Sequence, residues 1–143
     1  MIFQATQRIA DALEEADLKH QIQETDRFSL VVVGVTGDNC SFHLHFISVD
    51  DDNDVKVVAE DFAKIPAARW DAACRLLNEL NREYVFFKFT MDDEGTVRAR
   101  YDFPLSVPEE KLGGIALEVA LRCATILDDA YPRIMQLIWG AAE

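Results

Sequence analysis

The spacing of apolar residues along the chain predicts three helices, separated by segments with a different pattern. In residues 3–16 apolar side chains return every three or four positions, as on one face of an amphipathic helix. Residues 66–84 repeat that spacing, and the proline at the start of this segment suits the first turn of a helix. Residues 108–129 predict a third, longer helix, which we expect Pro132 to break or kink.

The segments between these helices alternate apolar and polar residues or are apolar throughout, which predicts strands over residues 28–35, 41–49, 55–62, 85–91 and 96–105. The last two form an antiparallel hairpin, because the residues between them are turn formers that end in a glycine able to adopt positive φ. The core-facing residues predicted for this hairpin are Val85, Phe87, Phe89, Met91, Val97, Ala99, Tyr101 and Phe103. The sequence leaves open whether residues 19–24 form an edge strand or a linker.

The resulting element order, α-β-β-β-α-β-β-α, predicts an α+β fold in which helices cover a mostly antiparallel sheet. A chain of 143 residues has the usual length of one domain, and no repeat or linker divides it. We therefore expect a single domain over residues 1–143. Ser106 and Glu109 have the spacing of a capping box at the start of the last helix.

The formal net charge of −12 narrows the range of partners. A field of this sign repels phosphate backbones, so we expect no nucleic-acid partner. The three cysteines are odd in number and form no C-x-x-C motif, which is typical of a reducing compartment. No apolar run approaches the roughly 20 residues of a membrane span, and the first residues do not have the pattern of a signal peptide. These features predict a cytoplasmic protein that does not associate with a membrane.

Several short motifs follow one another in a characteristic order. Asn78 and Asn81 stand in an N-x-L-N motif in the middle helix, and a D-D-x-G turn follows at residues 92–95. An acid-aromatic-proline sequence then closes the hairpin at residues 102–104, before the long last helix. Over about residues 28–129 this arrangement resembles the YbjN family of bacterial proteins. The resemblance implies a sensory transduction regulator with a fold similar to that of type III secretion chaperones, which are acidic dimers, and it implies no catalytic residues.

Two groups of residues resemble parts of known metal sites. His43 and His45 share a strand face, but an H-x-H pair needs a third converging ligand to hold zinc, and the spacing supplies none. Partly exposed strand histidines are the favoured interpretation. Asp50, Asp52 and Asp54 begin like a calcium loop, although a valine occupies the position that needs glycine. A solvated turn is favoured there.

Candidates for other chemistry are equally weak. Cys74 and Cys123 lie beside apolar residues in the predicted helices, so we expect both to be inert core thiols. No serine has the spacing of a triad or nucleophile elbow, and there is no glycine-rich phosphate loop. We therefore assign no catalytic, cofactor-binding or metal-binding residue. Asn78 and Asn81 are expected to have a structural role, in which their amides satisfy loop backbone groups near the helix end.

The last helix carries two apolar stripes, of which one is sufficient to seal it to the sheet. An exposed second stripe on a monomer would be a liability, and two-fold pairing is the commonest way to cover it, so we expect a homodimer. The residues expected at this dimer or partner interface are Leu117, Leu121, Ala124, Ile138 and Trp139.

Three functions remain open from the sequence. The leading hypothesis is a non-enzymatic regulator or chaperone-like adaptor, homodimeric, that binds an unknown protein partner and needs no cofactor. The alternative is a small-ligand sensor with a pocket between sheet and helices. The third, an enzyme or metal site that uses His43 and His45, has the least support.

Overall fold

The computed structural model describes residues 1–140, and its elements confirm the α+β fold that the sequence predicts. The helices are α1 (Gln4–Glu15), α2 (Trp70–Glu83, preceded by a short 3-10 turn over Ala67–Arg69) and α3 (Glu109–Trp139). The strands are β1 (His20–Glu24), β2 (Ser29–Thr36), β3 (Ser41–Ser48), β4 (Asp54–Lys64), β5 (Lys88–Met91) and β6 (Thr96–Pro104). None of these helices is long and apolar enough to cross a bilayer within residues 1–140.

The strands form one antiparallel sheet in the order β1-β2-β3-β4-β6-β5. The segment that the sequence left open is an edge strand, with Ile22 opposite Val31. At the other side, β6 pairs with β4, so the predicted hairpin adds β5 as the second edge. The turn of that hairpin contains Gly95 at φ +86°, a conformation that favours glycine.

All three helices pack on one face of the sheet. Thr6 of α1 is hydrogen bonded to Ser29 of β2 at 2.7 Å between the two hydroxyl oxygens, on the same face as Val31. Tyr131 of α3 packs its ring against Phe62 of β4, with centroids 5.8 Å apart. The space between the layers is filled by fully buried side chains, which include Phe46, Phe87, Phe89, Leu13, Leu80 and Leu127. Burial of these aromatic and aliphatic groups stabilises the fold.

The opposite face of the sheet, called here the open face, is covered by none of the three helices. Strand alternation places Leu30, Val32, Ile47 and Val58 on it, in register with one another: Leu30 lies opposite Ile47, and His45 lies between Val32 and Val58. Leu30 is 5% exposed and Val58 6% exposed, so the neighbouring side chains of the sheet itself cover them. The open face therefore has an apolar centre.

Of the two effects expected of Pro132, a break or a kink, the structure rules out the break. Helix α3 runs unbroken from Glu109 to Trp139 with the proline inside it. Proline cannot donate to the carbonyl four residues earlier, which belongs to Asp128. The side-chain amide of Asn39 donates to that carbonyl oxygen at 3.1 Å. An outside donor thus replaces the missing helical bond, and the helix continues.

Two further local predictions are wrong. Ser106 makes no cap, because α3 begins after Pro108 without a side-chain cap bond, and Glu109 forms an ion pair with Arg8 of α1 at 2.7 Å instead. Val85 does not face the core but is 82% exposed, since β5 begins only at Lys88 and the residues before it form the connection from α2.

Candidate functional site

The residues predicted as an interface lie on the outward side of α3, but they do not form one continuous stripe. Leu121 is 70% exposed and Trp139 81% exposed, whereas Leu117, Ala124 and Ile138 are half-buried. Leu121 and Trp139 point to the same side of the helix, about 27 Å apart along its axis, while Ile138 is turned about 100° away. Leu117, Leu121 and Ala124 do lie together, and they are called here the α3 ridge.

A groove between α1 and α3 runs beside this ridge, with a volume of about 510 Å³. The two helices meet closely there, because a Cβ atom added to Gly113 would lie only 2.7 Å from Cβ of Ala12. The rim of the groove carries carboxylates from both helices, among them Asp11, Glu15 and Glu110. The α3 ridge is therefore an apolar surface set in acidic surroundings.

Polar contacts tie α3 to the turn between β2 and β3. Oδ1 of Asp128 accepts the backbone N–H of Asn39 at 2.7 Å and that of Cys40 at 3.2 Å. The first of these bonds is the main reason why the pKa of Asp128 lies below its ordinary value. The turn approaches so closely that a Cβ atom on Gly37 would lie 2.3 Å from the Asp128 carboxylate. These contacts orient the helix that carries the ridge.

A second set of contacts joins α3 to the end of α2. Arg133 donates to both carboxylate oxygens of Glu83, at 2.8 and 2.9 Å, and the hydroxyl of Tyr84 donates to Asp129. Partial burial and then the bond to Asp129 raise the pKa of Tyr84 to about 12. The tyrosine is thus a neutral donor at physiological pH, which is a structural role.

The two asparagines of the middle helix differ in what they do. The side chain of Asn81 donates to the carbonyl of Phe89 at 3.0 Å and accepts the N–H of Phe89 at 2.7 Å. Its amide therefore pairs with the edge strand β5 as a neighbouring peptide group would. Asn78 is exposed at the helix surface. Lys88 completes this corner by donating to the carbonyl oxygens of Asn81 and Tyr84, both at 2.9 Å.

The candidate metal ligands do not converge. His43 is exposed and His45 half-buried on the open face, and within residues 1–140 no three His, Cys, Asp or Glu side chains are grouped to hold an ion. Asp50 closes a turn by accepting the backbone N–H groups of Asp52 and Asn53, at 2.9 and 2.8 Å. The bonds from Asn53 lower the pKa of this carboxyl. Asp50 therefore acts as a turn residue, whereas Asp54 begins β4 and is ion-paired with Lys56.

The thiols do not form a reactive group. Cys123 is fully buried, and burial raises its pKa. Burial and the nearby Asp128 carboxylate raise the pKa of Cys40 to about 11, so it is protonated at neutral pH. Cys74 is exposed, which corrects the expectation of a core thiol: it lies on the outer side of α2, whose inner side is formed by Ala73, Leu77 and Leu80.

Sequence reasoning missed the balanced charges of the open face. Arg98 donates to Glu60 at 2.9 Å and to Asp92 at 2.7 Å, and Arg100 donates to both oxygens of Asp102. Strand alternation places the two arginines on one face beside Asp102, but the sequence does not show that Glu60 and Asp92 lie beside Arg98. The partner Glu60 stands on β4, and its proximity depends on the pairing of β4 with β6.

Comparison with known proteins agrees with this architecture. The family model described as "YbjN: Putative bacterial sensory transduction regulator" matches residues 5–134. The crystal structure of YbjN from E. coli, titled a putative transcription regulator, superimposes with a TM-score of 0.57 at 11% sequence identity. The alignment covers 90% of this chain and 92% of that chain, and at this identity it shows the fold alone. No curated protein sequence matches the chain.

Proposed function

This chain belongs to the YbjN family of sensory transduction regulators, and we propose that it regulates by binding another protein rather than by catalysing a reaction. In this proposal the chain is a chaperone-like adaptor, works as a homodimer and presents the α3 ridge to its partner. The family description supports a regulatory role, and the partner and the dimer are our extension of it.

The exposure of Leu121 is the observation that carries this proposal. Leu121 is 70% exposed and lies one helical turn from half-buried Leu117, which lines the groove, so it presents apolar surface that a partner can cover. Full burial of a leucine side chain contributes about 1.5–3 kcal/mol, enough for one residue to dominate a small contact. The carboxylates around the groove favour a partner segment that carries basic residues.

A small-ligand sensor is the second candidate. A groove of about 640 Å³ between α2 and α3, lined by Arg69 and Arg133 among others, favours it. The arginines are already engaged, since Arg69 donates to the carbonyl of Gly140 at 3.0 Å and Arg133 to Glu83. The layer between sheet and helices, where such a pocket was expected, is filled by the core. We therefore rank the sensor below the adaptor.

Site-specific cross-linking in cells tests the adaptor role. A photo-reactive residue at position 125, one turn from Leu121 on the exposed side of α3, should trap a defined partner. Leu121→Glu should abolish that product, whereas Val85→Glu, at an equally exposed apolar residue away from the ridge, should leave it intact. Equal yields from the two variants would contradict a role for the ridge, and the lack of any protein adduct would contradict the adaptor function.

A further inference from the structure

We propose that two copies of this chain pair through the open face of the sheet, around a two-fold axis, and leave the α3 ridge free for a different partner. This inference rests on the proposed function, in which the chain is a homodimer, and it assigns the surface through which the two copies meet. It differs from the sequence expectation, which placed the dimer contact on the last helix.

Charge is the first argument. The net charge of the chain is −12, so two copies repel each other unless they meet where the charge is locally balanced. On the open face and at its ends, three basic side chains, Lys56, Arg98 and Arg100, lie against four acidic ones. These acids are ion-paired neighbours in the same region: Asp54 with Lys56, Glu60 and Asp92 with Arg98, and Asp102 with Arg100. The charge of this cluster is therefore close to balance, whereas each of the three helices carries more acidic than basic side chains.

The charge around the α3 ridge makes it a poor surface for self-association. It is bordered by Glu15 and Glu110 at the groove and by Asp128 further along the helix. A two-fold axis through the ridge would bring these carboxylates towards their own copies, and like charges at an interface oppose association. The ridge therefore suits a basic partner better than a second copy.

Apolar surface is the second argument. Val32 and Ile47 are half-buried at the centre of the open face, next to Leu30 and Val58, and Val49 beyond the end of β3 is 43% exposed. In a two-fold pairing the same apolar centre meets itself, so each valine and isoleucine finds an apolar neighbour in the other copy. Flanking glutamines on β1 and ion pairs on β6 then form a polar rim, as in many interfaces.

The size of the face is the third argument. Six strands at about 4.8 Å spacing, over about six residues of length, give a face of roughly 24 by 20 Å. Two copies would then bury about 1,000 Å² in total, at the lower end of specific interfaces. An area of this size is compatible with a reversible dimer, and the affinity depends on how well the apolar centre packs.

Mass measurement with matched variants tests the proposal. Sedimentation velocity between about 1 and 200 μM should show a reversible monomer–dimer equilibrium for the wild type. Val32→Glu and Ile47→Glu should each weaken it at least tenfold, and Leu121→Glu should leave it unchanged. Ile47→Glu places its carboxylate opposite Lys56 of the same copy, so the monomer tolerates it. Circular dichroism and urea denaturation would verify that each variant is folded.

The possible results test two claims separately: that the chain forms a homodimer, and that the open face is its contact surface. A wild-type dimer that survives both sheet substitutions would overturn the open face as the contact and keep the homodimer. A dimer that Leu121→Glu also dissociates would place the ridge in the contact and overturn the proposal. A wild type that stays monomeric at 200 μM would overturn the homodimer as well, whereas the cross-linking test of the adaptor role would still stand.

Salt dependence gives a readout that needs no substitution. In two copies paired through the open face, the carboxylates of the helices lie on opposite outer sides, further apart than the Debye length of about 10 Å at 0.1 M salt. The dissociation constant should therefore change less than about threefold between 100 and 500 mM NaCl. A tightening of tenfold or more would indicate apposed carboxylates, as in a contact through the α3 ridge, and would overturn the proposal.

Discussion

The side-chain amide of Asn39, in the turn between β2 and β3, donates to the carbonyl oxygen of Asp128 at 3.1 Å. This is the carbonyl that Pro132 leaves without a helical donor, because proline has no N–H. The bond is exposed to solvent, so it contributes the modest net free energy of an ordinary hydrogen bond and occupies an acceptor that the helix itself leaves without a donor. The bond links residues 89 positions apart and allows a 31-residue helix to contain a proline.

This relationship predicts a coupling between Asn39 and Pro132. Asn39→Ala should destabilise the protein by about 0.5–1.5 kcal/mol through loss of the side-chain bond. In a Pro132→Ala background the helix supplies its own N–H to Asp128, so the same substitution should cost less than half as much. Urea denaturation of the four proteins in a double-mutant cycle measures the coupling. Equal losses in both backgrounds would show that the amide does not substitute for the missing donor.

The paired bonds of Asn81 predict a difference between the two asparagines of α2. Asn81→Ala should destabilise by about 1–3 kcal/mol, because it leaves the N–H and carbonyl of Phe89 without these partners. Asn78→Ala, at an exposed position of the same helix, should stay within about 0.5 kcal/mol of the wild type. Chemical denaturation compares the three proteins. A loss for Asn78→Ala that matches the loss for Asn81→Ala would contradict this assignment.

The hairpin aromatics should differ according to their burial. Phe87 is fully buried, so Phe87→Ala should destabilise by about 3–5 kcal/mol through loss of packing and a new cavity. Tyr101 is half-buried against the rings of Phe86 and Phe87, and Tyr101→Ala should cost about 1–3 kcal/mol. Val85→Ala is the control and should destabilise the protein by less than about 0.5 kcal/mol. Denaturation midpoints that reverse this order would contradict the packing of the hairpin.

Asp92 predicts a pH dependence of the hairpin turn. Its carboxylate accepts from Arg98 and from the backbone N–H groups of Thr96 and Glu94, and these bonds lower its pKa from 3.8 to about 2. A group whose pKa is lower in the folded state stabilises the fold above its unfolded pKa, and this stabilisation disappears as the pH falls through the folded pKa. The difference in stability between wild type and Asp92→Asn should be constant from pH 7 to 5.

That difference should then shrink between about pH 4 and pH 2, where the unfolded chain and then the turn take up the proton. Thermal unfolding of the two proteins at matched ionic strength across this range measures it. A difference that grows as the pH falls would have the wrong sign for a depressed carboxyl pKa.

Metal removal should leave the protein unchanged. Because His43 and His45 have no third ligand grouped with them within residues 1–140, a chelator should not alter the melting temperature. His43→Ala, at an exposed position, should also leave the melting temperature unchanged. Differential scanning calorimetry with and without EDTA, together with elemental analysis of the purified protein, checks both statements. A melting temperature that falls by several degrees in EDTA would support a bound metal ion.

The sequence by itself determined the type and order of almost every element. Helix and strand periodicities depend on neighbours two to four positions apart, and these are visible in one chain. The same holds for the turn before β6, because Gly95 and the acids around Asp92 meet its requirements locally. The second apolar stripe of α3 also predicted an exposed apolar surface, and Leu121 is its most exposed leucine.

Only the tertiary structure decided the features that depend on residues far apart in the chain. The polar segment β1 is a strand because it pairs with β2, and helix α1 gains an acceptor at its start, since the carboxylate of Asp51 accepts the N–H of Ala5 at 2.9 Å. Helix α3 passes Pro132 because Asn39 lies beside it. The balanced open face exists because β4 pairs with β6 and brings Glu60 to Arg98. Such contacts join positions up to 101 residues apart, as in the Arg8–Glu109 ion pair, and the spacing of residues along a single sequence carries no information about which of them will meet.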